Sequence, residues 1–201
     1  MKTCEYGGEL FTAPRSHPWT SAVSNAAFRY YDLVASPELI RTSLEDFVPW
    51  AHYPAIERFY ALLEWLHGTG SLLESNDCEL SAPHTNENPQ VRAKLECSGR
   101  LMLLFRDLPR NLASDDLPAL TYAFHCALAP VDPDFERGIV GTTLIPVRYV
   151  GLPFAKKAQH GRQLMLSFWA WGDSEPDVMG NLDRLMTHVA QALHDVAMSP
   201  A

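Results

Sequence analysis

Side chains able to do chemistry are spread along this 201-residue chain rather than gathered into one motif. From Phe59 to Val91 there is no Lys or Arg, while Glu64, Glu74, Asp77, Glu79 and Glu87 all fall in that stretch. Its densest part, Glu74-Ser75-Asn76-Asp77-Cys78-Glu79, leads into a polar loop with His84, Asn86 and Asn88. Carboxylates grouped in this way suit a basic protein partner, because complementary charge speeds encounter and fixes orientation. The partner-binding set is therefore Glu74, Asn76, Asp77, Glu79, His84 and Glu87. Oxygen ligands also suit Ca²⁺ or Mg²⁺, but the Asp-x-Asp-x-Asp-Gly spacing of a calcium loop is missing, so no metal site is expected.

A second group is aromatic. Trp169 and Trp171 fall on one side of an alternating stretch, and tryptophans of this kind mark interfaces and ligand platforms. With Tyr149 and Arg148 they are candidates to line a small-molecule pocket between the sheet and the N-terminal helices. The structural alternative is that those helices simply cover the tryptophans. A third group, Arg92, Lys94, Arg100 and Arg106, is basic and is expected to pair with the acidic segment upstream as a salt-bridged sheet surface.

The eight histidines are scattered, with no H-E-x-x-H and no pair at i, i+4 for a metal. His188 and Asp195 are expected to share a face of the last helix as a surface pair. Phosphate-loop, dinucleotide and nucleophile-elbow signatures are missing. No catalytic residue is assigned, no cofactor is expected, and the chain reads less as an enzyme than as a binding protein.

Composition narrows the partners. The formal net charge of −8 argues against an electrostatic grip on nucleic acid or an anionic membrane, and permits a basic protein. With 47% hydrophobic residues the chain can bury a core. There is no uninterrupted apolar run of transmembrane length. The first residues, Met1-Lys2-Thr3-Cys4-Glu5-Tyr6, lack the apolar stretch of a secretory signal, so a cytoplasmic location is expected. Cys4, Cys78, Cys97 and Cys126 form no C-x-x-C pair and are expected as buried free thiols.

The elements that must position these groups follow from periodicity. Helices are expected over 22–34, from Ser36-Pro37-Glu38 to about Phe47, and over 54–66, the last ended by Gly68. Residues 72–80 read as an exposed strand because of their polar content. Residues 91–105 alternate as a half-buried strand, with a bulge or turn expected at Ser98-Gly99. Ser114-Asp115-Asp116 opens a further helix. Residues 139–150 and 164–171 read as strands, with Pro146 expected at an edge or bulge. Ser174-Glu175-Pro176-Asp177 caps a final helix to about Ala197.

Two stretches look alike. Gly99-Arg100-Leu101-Met102-Leu103-Leu104-Phe105 resembles Gly161-Arg162-Gln163-Leu164-Met165-Leu166-Ser167-Phe168, with one residue inserted. Each precedes a helix with the same apolar ladder: Leu117, Leu120, Phe124, Leu128, Val131, and Leu182, Leu185, Val189, Leu193, Val196. Both ladders describe one face of an α-helix.

The fold class expected is α+β: an antiparallel sheet of four or slightly more strands with helices packed on it, an internal helix-strand-strand duplication, and N-terminal helices. The order of elements from Pro54 onward, helix, two strands, helix, two strands, helix, is a circular permutation of the ferredoxin-like arrangement. Residues 1–201 form a single domain, with an N-terminal part to 53, a first unit over 54–131 and a second over 132–201. The function expected is a protein-binding module, in its most concrete version an immunity-type inhibitor that neutralises a basic toxin. The alternative is a small-molecule-binding protein or enzyme.

Overall fold

The computed structural model describes residues 1–5, 15–16, 20–21, 33–42, 45–113 and 115–198. Among these, four long strands carry the architecture: β4 (Leu73–Leu80), β6 (Leu95–Phe105), β7 (Gly138–Val150) and β8 (Gln159–Gly172). Four short ones, β1 (Lys2–Glu5), β2 (Arg15–Ser16), β3 (Thr20–Ser21) and β5 (His84–Thr85), complete the sheet. Its order is β3-β2-β7-β8-β6-β4, with β1 also on β7 and β5 also on β6. The four long strands are antiparallel to one another, while β1 and β2 run parallel to β7.

The two look-alike stretches lie side by side at the centre of the sheet. Met102 sits opposite Met165, with Leu101 against Leu166 and Leu103 against Leu164. The arrangement reads the same from either side of that pair: an inner strand, an outer antiparallel strand, and a helix on the same face.

Helices α2 (Pro54–His67), α3 (Asp116–Leu128) and α4 (Glu175–Met198) cover one face of the sheet. Both ladders point inward: Leu117, Leu120, Phe124 and Leu128 are buried, and so are Leu182, Leu185, Val189 and Leu193. They meet Leu164, Leu166, Phe168 and Ala170 of β8 and Leu101, Leu103 and Phe105 of β6 in one apolar core. Burial of such side chains contributes about 1.5–3 kcal/mol each, the main term holding helices to sheet. His67 ties α2 to β4, its ring nitrogens standing 2.8 Å from Leu63 O and 2.9 Å from Ser75 O.

The N-terminal part departs from expectation. The helix expected over 22–34 falls largely outside the described residues, and Leu33 to Ala35 form a turn. The helix expected from Ser36 to Phe47 is only α1 (Leu39–Thr42), followed by a 3₁₀ turn over Glu45–Trp50 that contains Pro49. Of the residues of α1, Ile40 alone is buried, so there is no apolar stripe to hold a longer helix. Arg41 docks α1 on α2 through Glu57 and Glu64, at 2.8 and 2.6 Å. This piece therefore lies on the helical side of the sheet, away from the tryptophans.

Three strand expectations are also corrected. β4 is not exposed: Leu73, Glu74, Ser75 and Asn76 are all buried. The register irregularity lies in β4, between Ser75 and Asp77, and not at Ser98-Gly99. Gly99 continues the ladder because a side chain there has no room. A Cβ would stand 2.5 Å from the Glu79 carbonyl and 2.5 Å from the Phe168 ring. Pro146 is neither on an edge strand nor at a bulge: β7 lies between β2 and β8, and Pro146 stands in register with Arg162 of β8.

Candidate functional site

The sheet face turned away from the helices differs from one end to the other. Where β6 and β7 finish, Met102, Leu104, Ile145, Val147, Tyr149 and Leu152 form a small apolar cluster. Leu108, from a 3₁₀ turn over Leu108–Asn111, closes it. At the opposite end the strands open into a cleft of about 1000 Å³.

Strand register builds this cleft. His84, Glu96 and Trp171 lie directly opposite one another across β5, β6 and β8. The next row runs Lys2, Ile139, Trp169, Ser98 across β1, β7, β8 and β6. Residues in such rows share a face, so the indoles, the histidine and the carboxylate converge. The Trp171 indole N–H donates to Glu96 Oε2 at 2.8 Å. On its other side Glu96 Oε1 stands 3.7 Å from His84 Nε2.

One rim is the connection between β5 and β6, and it is internally stapled. Asn86 Nδ2 donates to the carbonyls of Val91 and Ala93, both at 3.0 Å, and Asn86 Oδ1 accepts the Asn88 N–H. Asparagine side chains that satisfy backbone groups in this way hold a loop in one turn conformation. Arg137 locks the rim to the start of α4: its Nη1 donates to Arg92 O at 3.0 Å and its Nη2 to Asp173 Oδ2 at 3.1 Å. Three cations, Lys2, Arg92 and Arg137, and three carboxylates, Glu87, Glu96 and Glu136, line the cleft. Their formal charges balance, so the chain's net charge of −8 is not concentrated here.

The residues singled out from the sequence are redistributed. His84 and Glu87, from the acidic segment, line the cleft together with Trp169 and Trp171. Trp171 is buried and Trp169 half-buried. Glu74 and Asn76 are buried further along β4, away from the cleft. Asp77 and Glu79 face Arg100, at 3.9 and 3.0 Å. Tyr149 and Arg148 stand at the far end of β7, ten and nine residues from Ile139, so they do not join the tryptophans. Tyr149 is buried in the apolar cluster, where its hydroxyl donates to Arg162 O at 2.7 Å and burial pushes its phenol up from the usual value. Arg148 is exposed on the opposite face of β7.

Other expectations are revised in the same way. Of the basic set, Arg100 alone pairs with the acidic strand. Arg92 and Lys94 precede β6, and Arg106 donates to the backbone carbonyls of Leu73 and Leu66. His188 stands 3.7 Å from Asp132 rather than pairing with Asp195, which accepts from Gln191. The four cysteines are free, but of them Cys97 alone is buried: Cys4 and Cys78 are half-buried and Cys126 is exposed. Burial pushes the Cys97 and Cys78 thiols up to about 12, which leaves them without nucleophilic character at neutral pH.

Further along this face Asn76 Nδ2 reaches Gln163 Oε1 at 3.0 Å. Asn76 Oδ1, Gln163 Nε2 and Thr143 Oγ1 are buried there without a hydrogen-bond partner among the described residues. Each such atom costs about 1–3 kcal/mol. Among the described residues, no group of three or more His, Cys, Asp or Glu could hold a metal ion, and no helix is long and apolar enough to cross a membrane.

The charged cleft residues that sequence reasoning did not select are Lys2, Glu96, Glu136 and Arg137. Alternation along 91–105 did put Glu96 on the polar side of its strand. What it lacked was the register that sets Glu96 against Trp171, 75 residues away. Comparison with protein-family models, with curated proteins and with solved structures finds no match.

Proposed function

We propose that this chain is a protein-binding module that acts by docking rather than catalysis, and that its docking site is the tryptophan cleft. One observation carries this reading: His84, Glu87, Trp169 and Trp171, distant in sequence, line a single open cleft. Small-molecule sites are mostly enclosed and apolar, with a few converging polar groups. This cleft is wide and open, and carries three cations and three carboxylates beside its indoles. That mixture resembles the aromatic-rich centre and polar rim of a protein interface. The stapled rim loop supports it too, since a pre-ordered surface spends less free energy on binding.

The net charge of −8 favours a basic partner through steering, and an inhibitor of a basic toxin is the version that this charge suits. In the same reading, the symmetric register about Met102 and Met165 supports an internal duplication, with the cleft built from parts that the two copies do not share.

The test is affinity capture from the native cells with the wild-type chain and with Glu87→Lys and Arg92→Glu. Both positions are exposed rim residues. We expect a stoichiometric protein to be retained by the wild type and lost from both variants while their circular dichroism stays unchanged. A partner retained equally by all three places the docking site elsewhere and refutes the assignment.

A further inference from the structure

We propose that the chain pairs with a second copy of itself through the outer face of α3. The segment from Leu117 to Val131 contains no Asp, Glu, Lys or Arg, although one side of its helix faces solvent. The outward positions of α2 include Glu57, Arg58 and Glu64, and those of α4 include Arg184 and Asp195. On α3 the outward residues are Ala119, Tyr122, Ala123 and Cys126, with Tyr122 73% exposed. A helix face of this composition carries no charge and offers water little to bond beyond the Tyr122 hydroxyl.

A cavity of about 280 Å³ opens beside this face. Phe105 of β6, Leu120 and Ala123 of α3, and Val196 of α4 contribute to its walls. The charged residues lining it, Arg110 and Asp116, pair with each other at 3.0 Å, and Arg110 also lies over the Phe105 ring at 3.8 Å. The rim is thus electrically quiet. A cavity of about 150 Å³ takes a benzene ring, so this one has room for a phenol side chain.

Knob and socket therefore lie next to each other on one surface: Tyr122 adjoins Ala123 in sequence, and Ala123 lines the cavity. A twofold interface uses the same patch on both partners, so a surface that supplies both an exposed ring and a hole for one is self-complementary. Charge points to the same occupant. Two chains of net charge −8 repel one another, and they meet at least cost where the contact carries no charge. An oppositely charged partner finds nothing to pair with here. Tyr122 of each copy then fills the other's cavity and acts as the buried aromatic anchor of the interface.

Sedimentation velocity of the full chain, from micromolar to near-millimolar loading, tests this. The wild type should move from monomer to dimer with concentration. Tyr122→Asp and Ala123→Glu should each raise the dimer dissociation constant about 30-fold or more, the effect of losing an anchor residue. Both positions are exposed, so circular dichroism and melting temperature should stay at wild-type values. Glu87→Lys, in the tryptophan cleft, should leave the dimer unchanged, which separates this proposal from the docking site. A wild type that stays monomeric throughout overturns the pairing, and so does a dimer indifferent to both α3 variants. A monomer that takes up the apolar dye ANS, and loses it in Ala123→Glu, also overturns it and assigns the cavity to a small apolar ligand.

Discussion

The bond between Trp171 and Glu96 is the firmest test of how the cleft is held. Replacing Trp171 by Phe keeps an aromatic ring in place but removes the indole N–H that donates to Glu96 Oε2 at 2.8 Å. The Glu96 side chain is only 15% exposed, so water cannot fully take over the lost bond. A hydrogen bond to a charged group is worth about 1.5–3 kcal/mol, and one to a neutral group about 0.5–1.5 kcal/mol. With Gln at position 96 the same indole would meet a neutral amide oxygen. The two backgrounds should therefore differ by a coupling on the order of 1 kcal/mol. The packing lost with the larger indole is lost in both backgrounds and cancels in the cycle. Urea unfolding of wild type, Trp171→Phe, Glu96→Gln and the double variant, followed by far-ultraviolet circular dichroism, gives the four free energies. Trp171→Phe should cost more than it does when Glu96→Gln is already present. If the two single effects add to within about 0.3 kcal/mol, Glu96 does not depend on the indole and the geometry of the cleft wall is wrong.

Gly99→Ala should destabilise the fold by about 1–3 kcal/mol, the cost of overpacking. Its Cβ would meet a backbone carbonyl and a buried ring at 2.5 Å, whereas Gly70, with nothing near it, should tolerate alanine; urea midpoints of the two variants make the comparison. Asp132 concerns pH. The Arg184 guanidinium, 2.5 Å away, holds its carboxyl below the usual range, with His188 adding to the effect. A depressed carboxyl contributes stability above its unfolded value of about 3.9, and loses it as pH falls through the lower folded value. Asp132→Asn should therefore flatten the decline of stability below about pH 4; an acid limb as steep as that of the wild type would show that Asp132 contributes nothing to it.

Local periodicity made much of the scaffold legible. Both ladders announced their buried faces because each helix repeats its apolar residues over three turns. Polar content misled at β4, where burial of Ser75 and Asn76 depends on His67 of α2 and Gln163 of β8, neither of them a neighbour in sequence. Capping signals at Ser36-Pro37-Glu38 marked a helix start, but a start signal does not set length, and one buried side chain supports about one turn. The site was half legible. Residue type alone flagged the tryptophans and His84, since large aromatics and titratable groups stand out in any context. Arg137 and Glu136 carry no such signal: they become cleft residues only because β7 begins beside Trp169 and Trp171.

Why the cleft opens at one end of the sheet follows from what comes after each inner strand. β6 and β8 are matched through Met102 and Met165, and each leads into a helix on the same face. After β6, residues 106–115 intervene before α3, and within them the 3₁₀ turn over Leu108–Asn111 folds across the far face. Asn111 fastens that turn by exchanging hydrogen bonds with the Phe105 backbone, both at 2.8 Å, and Leu108 seals the cluster beneath. After β8 only Asp173 and Ser174 precede α4. Among the described residues no segment crosses the face there, and Trp169 and Trp171 stand beside an opening. The β5–β6 connection then rises as its wall instead of its roof, because Asn86 ties the loop to its own backbone. A matched scaffold with unmatched connections leaves one end closed and one end open, and the open end is where binding has room to occur.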